Sequence, residues 1–281
     1  MKLLRFALVF NSVFSLATGA TLIFQSRAVS SLFGIDANMI FIILGIGLVA
    51  FSATVFAVSL QKPIKPLPVF IIILLDALWV LSSIVLLLLN PFEFTQTGNM
   101  LVALVAMIVL VVATLQTMGL STVDKNPYTG HKELQFGRTV SGDAGIVWDI
   151  ISDVANYHHV APNIDDVKIV SGSGEEMVRQ CSQGSGSWTE NCVLWKEGEQ
   201  FSFRVNTDAP DYPFPLSFLQ GTWKVTPNGR NQSKIEMKFE FQYKRKILNV
   251  LLHPMMAPKF RSIVKELLDN WENKLSLQEK G

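Results

Sequence analysis

Four apolar runs, each close to the length of one bilayer crossing, set the limits on what the first 122 residues can become. The stretch between Arg5 and Arg27 is uncharged, as is that between Asp36 and Lys62. A third run covers 67–89 with Asp76 as its only charge, and a fourth covers about 100–120. A helix needs roughly 20 residues to cross ~30 Å of hydrocarbon, and backbone in lipid must satisfy its own hydrogen bonds, so each run reads as a transmembrane helix. Lys62-Pro63, Lys65-Pro66 and Asn90-Pro91 punctuate the series. Composition sharpens the division. Residues 1–122 hold five Lys/Arg and three Asp/Glu, whereas 123–281 hold nineteen and twenty. The chain is therefore neither a single soluble globule nor a disordered chain nor a disulfide-stapled secreted module. The near-neutral second half carries no bulk positive field, so nucleic acid is not an expected partner.

Lysine and arginine bias gives the orientation. Lys2 and Arg5, then Lys62 and Lys65, then Lys125, Lys132 and Arg138 belong on the cytoplasmic side, while the loop NPFEFTQTGN has no basic residue and fits the outside. Arg27 in the first loop is a single exception. The expectation is an integral protein of the plasma (inner) membrane, with both termini and the C-terminal domain cytoplasmic. The start MKLLRFALVFNSVFSLATGA has the look of a signal peptide, but its apolar run continues through Thr21-Leu22-Ile23-Phe24, which favours a retained helix. Cut or kept, the run ends outside.

Asn11, Asp76 and Gln116 sit on different runs, each on the order of 10 Å from the cytoplasmic end at ~1.5 Å rise per residue. They can meet inside the bundle, either as a proton or substrate site or as hydrogen-bonded packing; one isolated acid favours packing. Gly45, Gly47, Ala50, Ala53 and Ala57 suggest a small-residue packing face on the second run.

The periodicity then changes. Residues 1–122 form the four-helix membrane domain, 123–135 a short polar linker, and 136–281 one further domain. GRTVSGDAG (137–145) reads as a strand and turn, with Asp143 capping a helix that carries Ile146, Val147, Ile150 and Ile151. A short helix over 154–162 follows. Alternating runs cover 167–170, 177–182, 188–195, 201–206, 218–226 and 233–243; in the last, Ile235, Met237, Phe239, Phe241 and Tyr243 alternate with charged or polar residues. A long helix over about 258–277 closes the chain, with Phe260, Ile263, Val264, Leu267, Leu268 and Trp271 at helical spacing. The expected fold class is membrane α-helical plus α+β: four transmembrane helices, then a curved antiparallel sheet of about seven strands around a long C-terminal helix.

The stretch GRTVSGDAGIVWDIISDVANYHHVAPNIDDVKIVSG resembles the opening of the SRPBCC superfamily of START-like, polyketide cyclase/dehydrase-like helix-grip proteins. The later GTWKVTPNG, then SKIEMKFEF and the last helix, are similar too, so the resemblance covers roughly 135–277. Residues 1–122 carry no comparably specific one. The resemblance implies an apolar cavity between sheet and helix that holds lipids, sterols, polyketides, quinones or hormones. Expected liners are Trp148, Phe203, Val205, Trp223, Met237, Phe239 and Phe241, with Phe260, Val264, Leu267 and Trp271 from the helix. The same residues also describe a plain hydrophobic core. The loop TDAPDYPFPLS (207–217), with three prolines and aromatics that look exposed, is a rim, a lid or a stiff connection.

No catalytic set is legible. His131, His158, His159 and His253 lack metal spacing, and no nucleophile elbow, P-loop or dinucleotide fingerprint occurs. GSGS at 184–187 reads as a hairpin turn near Ser185-Gly186, which would put Cys181 and Cys192 roughly opposite each other as reduced thiols. Asp149, Asp153, Asp165, Asp166 and Glu190 could transfer protons, but nothing pairs them. Lys244-Arg245-Lys246 beside ILNVLLHPMM suits anionic headgroups or is merely a strand end. The expected function is a membrane-anchored protein that binds or transfers a hydrophobic small molecule such as a lipid or quinone. It implies no metal and no cofactor; its partners are membrane lipids and that small molecule. A cyclase- or dehydrase-like enzyme on a polyketide or isoprenoid substrate, and a structural or regulatory membrane module, are the alternatives.

Overall fold

The computed structural model describes residues 1–278 and divides into two compact units, Met1–Val123 with Asn249–Pro254, and Asp124–Leu248 with the chain from Met255 onward.

The first unit is built on four long helices, α1 (Lys2–Phe24), α3 (Asn38–Leu60), α4 (Pro66–Leu89) and α5 (Gln96–Leu120), each long and apolar enough to cross a membrane. Its polarity is inverted relative to a water-soluble bundle. Met39, Ile40, Leu88 and Leu89 point outward, while Asn11, Ser12, Ser15, Ser52, Asp76 and Gln116 are buried. Such a surface is satisfied by hydrocarbon and leaves polar side chains to bond one another inside. Helix α1 packs on α3 and α5, and α4 packs on α5. The α1–α3 crossing is close because it is glycine against glycine: a methyl on Gly19 would meet the Gly45 carbonyl oxygen at 2.8 Å, and one on Gly45 the Gly19 oxygen at 2.7 Å. The packing face of α3 is Phe41, Gly45, Ser52, Val55, Val58 and Ser59. Of the small residues expected there only Gly45 belongs to it; Gly47, Ala50, Ala53 and Ala57 are exposed. Small residues recur all round this helix, and only the 3.6-residue period through Gly45, Ser52 and Ser59 selects the buried stripe. A short helix in the first loop, α2 (Ser26–Phe33), was not expected from the sequence; Ser30 anchors its end by accepting from the Ala37 amide at 2.9 Å.

The second unit is a seven-stranded, wholly antiparallel sheet in the order β1-β7-β6-β5-β4-β3-β2. The strands are β1 (Lys132–Ser141), β2 (Asp166–Ser171), β3 (Val178–Gln183), β4 (Gly186–Lys196), β5 (Gln200–Val205), β6 (Leu216–Pro227) and β7 (Gln232–Tyr243). Helix α6 (Ala144–Ile151) follows β1, capped by Asp143, whose carboxylate accepts from the Gly145 amide at 2.9 Å. A 3-10 turn over Val154–His159 precedes β2. After β7 come a single turn, α7 (Leu248–Leu251), and the closing helix α8 (His253–Gln278). β1 starts at Lys132, inside the expected linker, because it pairs with β7 along its whole length. α8 starts before the expected position and carries Pro258 internally. Register shifts at Ile169/Ser171, Cys192/Leu194 and Leu216/Phe218 bend the sheet. Arg138 on β1 bonds Asp269 and, at 2.9 Å, Glu272 on α8, while Asn270 Nδ2 donates to the Val160 carbonyl at 2.8 Å. These contacts seat the helix across the concave face. This is the helix-grip arrangement.

Candidate functional site

The two halves of α8 pack differently. Leu268, Trp271 and Leu275 join Trp148, Phe201, Ile235 and Met237 in a solid core. The preceding turns, through Ala257, Phe260, Ile263, Val264 and Leu267, stand off the sheet and leave a pocket of about 220 Å³. Its sheet wall includes Phe203, Val205, Leu219, Trp223, Phe239 and Phe241. Trp223 stacks on Phe201 with ring centroids 5.1 Å apart, and Phe260 meets Phe239 edge-on at 4.8 Å. Of the expected liners, Phe203, Val205, Trp223, Phe239, Phe241, Phe260, Val264 and Leu267 are on this wall. Trp148, Met237 and Trp271 are not: they fill the core at the closed end of the grip. Trp148 instead donates to Glu197 at 2.8 Å, the carboxylate that also accepts from Trp195 at 2.7 Å. The loop at 207–217 supplies a wall rather than loose aromatics. Tyr212 is buried and, with Phe214, packs edge-on against Trp188, and all three line the pocket.

Residues that carry no hydrophobic signal form the polar end of the pocket. Gly184, with positive φ, and Ser185 turn the β3–β4 hairpin, so Gln183 pairs with Gly186 and Arg179 lies directly opposite Glu190. Positive φ at the first central position is what a type II′ turn requires. Both side chains face inward and are buried. Arg179 Nε and Nη2 donate to Glu190 Oε2 at 3.0 and 2.7 Å, and Trp188 Nε1 donates to Glu190 Oε1 at 2.9 Å. The guanidinium lies 4.0 Å from the Phe203 ring centroid and 5.1 Å from that of Tyr157. Burial opposes its charge, but Glu190 more than compensates, and Arg179 stays protonated. Arg179 Nη1 and the Tyr212 hydroxyl are buried without a hydrogen-bond partner among the described residues. Burial pushes the Tyr157 and Tyr212 phenols above their ordinary range, so both are neutral donors.

The same register corrects the cysteine expectation. Cys181 pairs with Trp188 and Cys192 with Phe203, so the thiols are not opposite each other, and both are free and buried. Burial, then the Glu190 charge, raises the Cys181 thiol, which rules it out as a ready nucleophile. His158 and His159 lie ring against ring at 4.0 Å at the end of the 3-10 turn. Among the described residues no three His, Cys, Asp or Glu side chains gather as a metal set. In the first unit, Asn11 Nδ2 donates to Asp76 Oδ2 at 2.7 Å and Ser15 to Asn11 Oδ1 at 3.2 Å. Gln116 lies buried beside the pair without closing a bond of good geometry.

A family model described as polyketide cyclase / dehydrase and lipid transport matches residues 133–276. None of the curated proteins matches the chain. Among solved structures, a START superfamily protein from Mycobacterium smegmatis is similar at 14% identity and TM-score 0.43, covering 53% of this chain and 99% of that one. The Zhui aromatase/cyclase from Streptomyces sp. R1128 is similar at 18% identity and TM-score 0.40, covering 51% and 90%. Norcoclaurine synthase from Thalictrum flavum, in complex with dopamine and hydroxybenzaldehyde, is similar at 15% identity and TM-score 0.42, covering 58% and 93%. The family model spans the grip from its first strand into its last helix. Through that half the chain belongs to the polyketide cyclase / dehydrase and lipid transport family.

Proposed function

We propose that this protein is an integral membrane protein whose grip domain holds one hydrophobic small molecule, a lipid or quinone, on the cytoplasmic side of the plasma membrane. The pocket between α8 and the sheet carries this reading: it is walled by aromatic and aliphatic side chains and closed at one end by a packed core. A pocket of this kind gains roughly 25 cal/mol for each Å² of apolar ligand surface it takes from water. The four helices support the reading by keeping the pocket on a chain that resides where such ligands partition. The linking segment is short, so the domain stays near the bilayer. Delipidated full-length protein offered a panel of phospholipids, fatty acids and quinones, then analysed by native mass spectrometry, retains one class through desolvation. If every member of the panel is lost, the reading is wrong.

One observation favours a second reading. Arg179, Glu190 and Tyr157 reach the pocket wall, so an enzyme acting on a polyketide- or isoprenoid-type substrate has polar groups to use. Turnover of a bound ligand, seen as a mass change during incubation, separates catalyst from carrier. A purely structural role is disfavoured by the unfilled space.

A further inference from the structure

We infer that the pocket selects uncharged, hydrogen-bond-accepting apolar molecules, such as ketones and quinones, and rejects fatty-acid anions, because Glu190 neutralises Arg179 and leaves the Nη1 group of its guanidinium to donate. This rests on the ligand-binding reading and deepens it by naming the ligand's polar group.

The geometry is specific. Nε and Nη2 occupy one edge of the planar guanidinium, and both go to Glu190 Oε2. Nη1 is buried and, among the described residues, without a hydrogen-bond partner, and so are the Tyr212 hydroxyl and Trp223 Nε1. A buried donor left unmade costs about 1–3 kcal/mol, so Nη1 is stabilised by an acceptor brought to it. Phe203 beneath the guanidinium, and Trp188 holding the second Glu190 oxygen, fix its orientation. The charge of the cluster decides which acceptor. Arg179 and Glu190 lie face to face across two strands and sum to zero. A carboxylate that entered would lose its hydration, which costs several kcal/mol, and would meet a dipole rather than a net positive charge. A carbonyl loses far less on leaving water and regains it from a charge-assisted N–H. Lys259, the other cation of the wall, is exposed and therefore screened by solvent.

The test uses the full-length protein in nanodiscs, with empty nanodiscs as the blank, at about pH 8, where a free fatty acid is ionised. The probes are a matched pair of equal chain length, lauric acid and methyl undecyl ketone, each with a 13C-labelled carbonyl carbon. The wild type binds the ketone at least about tenfold more tightly than the acid, and the ketone carbon signal moves downfield as its oxygen accepts a hydrogen bond. Glu190→Gln keeps an acceptor for Trp188 but leaves Arg179 uncompensated, and the preference reverses toward the acid. The double variant Arg179→Met/Glu190→Met, checked for fold by circular dichroism, keeps an apolar pocket, loses the downfield shift and weakens ketone binding about tenfold. Equal or tighter binding of the acid by the wild type overturns the inference and leaves the carrier reading intact. So does a downfield shift that survives in the double variant. If the wild type binds neither probe, the carrier reading falls and the inference falls with it.

Discussion

Arg179 and Glu190 face each other in the concave interior of the sheet, and their stability is conditional on both being present. Removing one partner of a buried pair strands the other and typically costs about 3–5 kcal/mol, while replacing both with apolar groups is close to neutral. Glu190→Ala is therefore expected to lower the unfolding free energy of the grip domain by about that amount, and Arg179→Met/Glu190→Met to recover most of it, read by denaturant titration of tryptophan fluorescence. Cys181 offers an independent probe. Its thiol is held above the ordinary thiol range by burial and the nearby Glu190, so the native state keeps the proton that the unfolded chain releases. Its contribution to stability is complete below the unfolded pKa of about 8.5 and declines as pH rises through the raised native value. At about pH 8.5 iodoacetamide is expected to spare Cys181 in the native protein and modify it rapidly in denaturant, as peptide mass mapping will read. Neither the pair nor the state of the thiol was legible from residue types. Arg179 and Glu190 carry no hydrophobic signal. A hairpin turned at Ser185-Gly186, rather than at the actual Gly184-Ser185, places each on the wrong neighbour. One residue of turn position changes every cross-strand pair.

At the scale of single elements, period carries most of the information. The alternation through Ile235, Met237, Phe239, Phe241 and Tyr243 became β7, buried at each of those positions. The spacing from Phe260 to Trp271 became the inner face of α8. Ends and short pieces were less legible. β1 is lengthened by a partner 109 residues away in sequence, Lys132 pairing with Phe241 at its start. The eight-residue α2 is too short to stand out from a loop. In α3 the small residues gave no face by themselves, and the Gly19–Gly45 approach separates them by experiment. Gly45→Leu is expected to lower the melting temperature of the detergent-solubilised protein by several degrees, because its side chain enters α1 at the carbonyl of Gly19. Gly47→Leu, with open space around it, is expected to leave melting unchanged.

At the scale of the molecule, the two units obey opposite solvent rules, one apolar outside with buried serines and carboxamides, the other apolar inside. The proposed topology makes a direct prediction. In intact cells, a membrane-impermeant maleimide is expected to label Phe92→Cys in the loop between α4 and α5 and to spare Lys65→Cys at the start of α4 until the membrane is opened. Labelling of Lys65→Cys from outside inverts the orientation. A proteinase added outside is likewise expected to leave the grip domain whole.

The amino-acid order alone determined the number of long apolar helices, the strand sequence and the closing helix, because each follows from a local period or a run length that the backbone must obey. It also carried enough pattern to indicate the family. Only the tertiary structure decided which apolar residues wall a pocket and which fill a core, since an unfilled space is a property of how α8 stands off the sheet and belongs to no residue. It alone set Arg179 against Glu190, because cross-strand partnership depends on register, and register is fixed by a turn and by packing at a distance.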